Sequence, residues 1–186
     1  NPMKPLGGYG EGGFITTNSK IIFNKIKILR HAGTLSDPNK IITNYCVEPS
    51  LNHKMDSINA SLTLVALKYY KKNRDKKNRI FNFYNKNLSN IIIRQQIKKN
   101  EVHGMYVYAI RIRKNRNNLK KYLEKNGIET KIFNEPLICD SPGYKKYNKN
   151  KLKKTRKKLN EILIIPSHEK LNSKDVKFIV EKINNY

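Results

Sequence analysis

The sequence predicts a mixed chain, α/β at its start and a small two-layer α+β domain from about residue 90. Three observations carry this reading. A glycine-rich segment leads through a short apolar run into a capped helix. A helical pattern then extends from Asp56 to about Leu88. The remainder alternates strand-like and helix-like segments in a β-α-β…β-α order.

Residues 1–13 hold Gly7, Gly8, Gly10, Gly12 and Gly13, five of the nine glycines in the chain, so this is a tight loop where backbone passes close to something. Phe14 to Thr17 reads as a short buried strand. Asn18 suits the N-cap of a helix from about Ser19 to Arg30, with Ile22, Ile26 and Leu29 on one face and Gly33 as its stop. Residues 34–52 carry turn chemistry (Ser36, Asp37, Pro38, Pro49) and little periodicity. A loop of that length is functional or reaches a neighbour. In the long helix Ile58, Leu62, Val65, Tyr69, Ile80, Phe83 and Tyr84 form the apolar positions, and the charged stretch 71–79 is its solvated middle.

Met105 to Arg113 is strand-like, Asn117 to Asn126 is a helix closed by Gly127, and Ile128 to Phe133 alternates like a strand. Ile162 to Ile165 is a short apolar run ended by Pro166. Ser173 caps a last helix whose Val176, Ile179, Val180 and Ile183 follow helical spacing. The first third reads as the end of something larger.

Composition removes several classes of function. The 186 residues carry a formal net charge of +25, from 39 Lys+Arg against 14 Asp+Glu, which makes nucleic acid a suspect. Lys, Asn and Ile together make up 79 residues while Ala occurs four times, so codon bias toward A/T-rich triplets accounts for the excess equally well. With 38% hydrophobic residues the chain has material for a core. No apolar run approaches the roughly 18 residues of a membrane span. Cys46 and Cys139 make neither a disulfide framework nor a zinc set, which fits a reducing, cytoplasmic setting and no metal. The first residue is Asn1 rather than Met, so the expectation is a chain that is less than a whole gene product.

The chemistry-bearing segment is Asn1-Pro-Met-Lys4-Pro-Leu-Gly-Gly-Tyr-Gly10-Glu11-Gly12-Gly13-Phe-Ile-Thr-Thr-Asn18. One lysine among 31 carries no information alone; the fixed spacing to Gly-Glu-Gly-Gly, strand and helix does. This segment resembles the cofactor-lysine segment of the DegT/DnrJ/EryC1/StrS family of pyridoxal-phosphate-dependent sugar aminotransferases, with Lys4 on the cofactor lysine and Gly10 to Gly13 on the glycine run. Further stretches agree in order. Leu29-Arg30-His31-Ala32-Gly33 resembles the family's Leu-Arg-x-x-Gly helix end. Leu51-Asn52-His53-Lys54-Met55-Asp56-Ser57-Ile58-Asn59-Ala60 resembles its x-Asn-x-Arg-Leu/Met-Asp-x-Leu-Gln-Ala. Asn126-Gly127-Ile128-Glu129-Thr130, Ile162 to Pro166 and the closing helix resemble its small-domain Gly-Ile-x-Thr, Leu-x-Leu-Pro and last helix.

The resemblance covers essentially the whole chain but only the second half of a family member. It implies the C-terminal half of a fold-type I (aspartate aminotransferase-like) enzyme. Residues 1–56 are then the end of the cofactor-binding large domain, with the lysine segment and a dimer-contact loop. Residues 57–89 form a long linking helix, and 90–186 the small α+β domain. Three departures stand out: Ser50 where the family has Gly, Lys54 where it has Arg, and Asn134-Glu135-Pro136 in place of His-Tyr-Pro. Lys cannot make the planar two-pronged contact of Arg.

For function, the resemblance implies amino transfer from glutamate to a keto-sugar attached to a nucleotide, for surface polysaccharide or glycan biosynthesis, in a homodimer with shared active sites. Lys4 would bind pyridoxal 5'-phosphate covalently and move the proton between substrate carbon and cofactor. Asn52 would hydrogen-bond the cofactor phosphate of the neighbouring subunit. A dehydrating relative carries His in place of this lysine, so Lys4 argues for amino transfer. Arg30, His31 and Tyr9 receive no role. The family's aromatic shelf, its pyridine-pairing Asp and most phosphate ligands belong to the first half, so a fragment or half of a split gene is expected.

Two other readings compete. Residues 145–158 hold nine Lys/Arg without an acid and 68–79 hold seven, runs that fit a nucleic-acid backbone and fit a solvated face as well. The other is a non-catalytic remnant that keeps the aminotransferase fold.

Overall fold

The structure, a computed structural model, describes residues 1–35, 45–133, 135–147 and 152–186. The chain divides into two compact units, Asn1–Tyr70 and Lys71–Tyr186.

The first unit opens with the glycine-rich loop and continues into α1 (Lys20–Arg30). The cap of α1 is Ser19 rather than Asn18: its Oγ accepts from the Ile22 amide at 3.4 Å while its backbone is extended. The helix ends at His31, and Ala32 and Gly33 both take left-handed backbone, φ 55° and 71°. The Gly33 N–H closes the end by donating to the Ile28 carbonyl at 3.1 Å. Gly33 is obligatory for a second reason: a Cβ there would lie 1.6 Å from the Glu48 carbonyl oxygen.

Phe14–Thr17, expected as a buried strand, has no ladder partners among the described residues, and Phe14 and Ile15 are exposed. A strand is made by its neighbours, and none pairs with it here. Within the region read as one long loop, β1 (Thr34–Leu35) and β2 (Tyr45–Cys46) form a two-residue antiparallel ladder; Ser36, Asp37 and Pro38 lie outside the described residues. Helix α2 (Ser57–Asn87) begins where the sequence placed it. Asp56 caps it, accepting the Asn59 amide on Oδ1 at 2.7 Å and the Ala60 amide on its carbonyl at 3.0 Å.

In the second unit, β3 (Ile93–Arg94), β4 (Tyr108–Arg111) and β5 (Ile162–Ile165) form an antiparallel sheet in the order β3-β4-β5. Helices α3 (Arg116–Lys125), α4 (Lys153–Leu159) and α5 (Ser173–Asn184) complete it. Gly127 closes α3 as expected: with φ 74° it donates to the Glu124 carbonyl at 3.0 Å, and the Ile128 N–H reaches Leu123 at 2.9 Å. Ile128–Phe133 keeps its in–out alternation at Ile128 to Lys131 but pairs only as a bridge of Lys131 with Ile164, not as a strand. Strand β3 and helix α4 had no sequence signal strong enough to predict them.

The cap of α5 is Asn172, one residue before the expected Ser173. Asn172 Oδ1 accepts from Lys174 and Asp175, while Asp175 Oδ2 accepts the Asn172 amide at 3.0 Å. The acid three residues downstream decides between two good cappers.

One contiguous core fills this unit, joining Ile80, Phe81 and Tyr84 of α2, Tyr108 and Ile110 of β4, Leu119 and Leu123 of α3, Leu163 and Ile165 of β5, and the expected Val176, Ile179, Val180 and Ile183 of α5. Helices thus lie on a three-stranded sheet, the two-layer arrangement expected. No helix of the described residues is long and apolar enough to cross a membrane.

Candidate active site

Lys4 sits in a turn that folds the chain back on itself. Its amide donates to the Asn1 carbonyl at 3.2 Å, and the Met3 amide to Asn1 Oδ1 at 3.0 Å. Gly7 closes the turn, because a Cβ at that position would lie 2.7 Å from the Pro2 carbonyl oxygen. The lysine itself is exposed, as a group that must meet another molecule has to be.

Beyond the turn the loop runs against the first turns of α2. Cβ atoms built at Gly8, Gly10 and Gly12 would meet Asn59 Oδ1 at 2.9 Å, Asn59 Nδ2 at 3.4 Å and Met55 Cε at 2.7 Å. These glycines bring bare backbone against Asn59 of α2 and against Met55 just before it. Asn59 fastens the contact. Its Oδ1 accepts the Tyr9 amide at 3.1 Å and its Nδ2 donates to the Glu11 carbonyl at 3.1 Å, with the residue only 7% exposed.

The second expected site residue, Asn52, lies at the C-terminal end of α1, paired with His31 in an isolated antiparallel bridge. Next to it the His53 N–H donates to the Arg30 carbonyl at 3.1 Å. Asn52 is exposed, and its Oδ1 accepts the Lys54 amide at 3.3 Å, which leaves the carboxamide NH2 as a donor for an acceptor group. Ser50 donates through Oγ to the Leu29 carbonyl at 2.9 Å, satisfying a helix-end acceptor that a glycine there would leave open. The side chain of Lys25 pairs with Glu48 and ties α1 to the same segment. Lys4 and Asn52 are therefore held by different neighbours, the α2 start and the α1 end.

Tyr9, His31, Arg30 and Lys54 enter these contacts through their backbones. Asn134 lies outside the described residues, whereas Glu135, in the second unit, pairs with the buried Arg116 at 3.4 Å. Asn59 is the residue that sequence reasoning missed. Its signal was present: a carboxamide three residues after a capping Asp sits on the first helical turn, where a side chain can reach back over the preceding chain.

Each group fits a part of a phosphate-bearing aldehyde by itself: the exposed primary amine on its braced turn suits the aldehyde, and the exposed carboxamide donor suits a phosphate oxygen. The chain's wider identity comes from similarity. A profile of the DegT/DnrJ/EryC1/StrS aminotransferase family matches residues 1–184. The chain belongs to this family. A pleiotropic regulatory protein of Geobacillus stearothermophilus is 26% identical over 194 residues, covering 100% of this chain and 50% of that protein. A UDP-4-amino-4,6-dideoxy-N-acetyl-beta-L-altrosamine transaminase of Campylobacter jejuni is 24% identical over 189 residues, covering 98% and 50% respectively. The crystal structure of a DegT/DnrJ/EryC1/StrS aminotransferase from Brucella abortus superposes with a TM-score of 0.87 at 25% identity, over 99% of this chain and 48% of that one.

The chain thus spans about half the length of the curated relatives it matches. Its fold is that of half of a sugar aminotransferase, as expected for the C-terminal half.

Proposed function

We propose that this chain is the lysine-bearing half of a pyridoxal-phosphate-dependent aminotransferase that moves an amino group from an amino acid, glutamate, to a nucleotide-linked keto-sugar for glycan biosynthesis. The observation that carries this reading is Lys4 on a glycine loop seated against α2 in a chain that matches a sugar-aminotransferase family along its length. Residues 1–56 are the end of the large, cofactor-binding domain, 57–89 the linking helix and 90–186 the small domain. The working form is a cytoplasmic homodimer.

Bound pyridoxal 5'-phosphate supplies an electron sink for the negative charge that develops on the substrate carbon. The chain's own part is positional and acid–base. Lys4 Nζ would hold the cofactor through its aldehyde and would carry the proton at the reacting carbon. The braced turn keeps that amine within reach, since misplacing a catalytic group forfeits much of the advantage of proximity. The NH2 of Asn52 would offer a hydrogen bond to a phosphate oxygen of the cofactor in the neighbouring subunit. Lys54 offers a single ammonium where the family places a planar fork, so whatever it holds is held with less directional control.

The test uses the full-length protein. Incubation with pyridoxal phosphate followed by borohydride should attach the cofactor to the peptide carrying Lys4, and Lys4→Ala should abolish that label. Amino transfer in the variant should fall by at least about a hundredfold, the scale of a lost general acid–base group. Labelling elsewhere, or activity unchanged in Lys4→Ala, would sink the reading.

A further inference from the structure

We propose that Asn59 is the positioning residue of the Lys4 loop, its carboxamide clamping the backbone of Tyr9 to Glu11 and so fixing where the amine is presented; this rests on the role given to Lys4 above. A carboxamide carries one acceptor and one donor group, the same pair a peptide unit offers. Both ends of Asn59 are used on one short segment, the Tyr9 N–H into Oδ1 and Nδ2–H into the Glu11 carbonyl, each at 3.1 Å.

Three further features show a built contact. Asn59 is among the few buried polar residues of the chain, and it lies on the first turn of α2. Its own amide is held by the Asp56 carboxylate at 2.7 Å, so the clamp is rooted in the helix cap. In a capping box the side chain at this helical position returns to the cap's own N–H; here it is directed to the loop instead. Finally, the glycines suit this seat. Gly8 and Gly10 bring bare backbone onto Asn59, and a Cβ at Gly8 would also lie 3.0 Å from Thr63 Oγ1, one helical turn along.

Elsewhere along the loop, Asn1 Nδ2 donates to Glu11 Oε1 at 3.3 Å, an exposed bond. Tyr9 is 77% exposed, so its side chain adds little burial at the clamp. Five glycines in thirteen residues leave the backbone a large choice of conformations once the clamp is opened. Loss of the two hydrogen bonds should therefore loosen the turn that carries Lys4 without unfolding α2.

Three variants of the full-length protein test this. Asn59→Ala removes both bonds. Asn59→Asp keeps the acceptor for Tyr9 but sets a carboxylate oxygen against the Glu11 carbonyl. Ser61→Ala, on the same helix with its hydroxyl donating to the Ser57 carbonyl, is the control. Hydrogen exchange of the peptide containing Tyr9 should accelerate about tenfold in both Asn59 variants and stay unchanged in Ser61→Ala. Exchange across 71–186 should match the wild type in all three, which separates loosening from misfolding. The rate of borohydride trapping of pyridoxal phosphate on Lys4 should drop about tenfold with the exchange change. Wild-type exchange at Tyr9 in Asn59→Ala would overturn the clamp, and a loosened loop with wild-type trapping would overturn its positioning role. If the wild-type protein is never labelled at Lys4, the aminotransferase reading fails, and the exchange data still decide whether Asn59 holds the loop.

Discussion

At the scale of single residues, local chemistry and distant contacts set different properties of one side chain. Tyr108 is read from sequence as a strand aromatic. In the fold it is buried, its ring 4.9 Å from those of Phe81 and Tyr84, and its hydroxyl donates to Asn85 Oδ1 at 2.5 Å. Burial pushes its pKa up to about 12, with Arg94 pulling weakly the other way. The neighbouring Tyr84 hydroxyl, donating to the Pro166 carbonyl at 2.7 Å, is raised as well, again chiefly by burial.

The neutral phenol is the protonated form, so the folded chain holds these protons more tightly than the unfolded one. Stability from Tyr108 is complete below pH 10 and lost as pH rises from 10 through about 12. Denaturant unfolding across that window should show stability falling, with Tyr108 contributing up to about 1.4 kcal/mol per pH unit. Tyr108→Phe should make the fall shallower. A slope unchanged in the variant would mean that this phenol is not the group involved.

Elements divide by whether their hydrogen bonds are local. Helices satisfy their backbones internally, and every helix expected from periodicity is present, with ends within one or two residues: α1, α2, α3 and α5. The cap of α5 moved to Asn172 because a side chain and a backbone amide must reciprocate, and Asp175 lies at the right spacing for Asn172 only. Asn172→Ala should lower stability by about 1 kcal/mol in a thermal or urea melt, whereas Ser173→Ala should change it by less than half of that.

Strands fared differently. Phe14–Thr17 and Ile128–Phe133 have suitable residues and no full ladder, while β3, Ile93–Arg94, exists because β4 offers it an edge. A strand's partner is chosen by the fold, and two-residue pairings leave no period to read.

Across the whole molecule, burial is uneven. Every residue of the hydrophobic core belongs to the second unit, from Ile80 to Ile183. In the first unit α1 buries none of its residues, and Phe14, Ile21, Phe23, Leu51 and Ile58 are all more than half exposed. For the 186-residue chain alone, native-state hydrogen exchange should find β4, β5 and α5 the most protected and α1 close to unprotected. Equal protection of α1 and α5 would contradict that division.

The sequence by itself determined the helices, their caps to within a residue and the Lys4–glycine pattern that places the chain in its family. All of these are local in the chain, fixed by spacing and by side chains acting on their own backbone. Only the tertiary structure decided which strands pair, why Gly8 has no room for a Cβ against Asn59 and Thr63, and that Asn59 clamps the loop. Such features need groups some fifty residues apart to meet, and no local preference encodes that meeting.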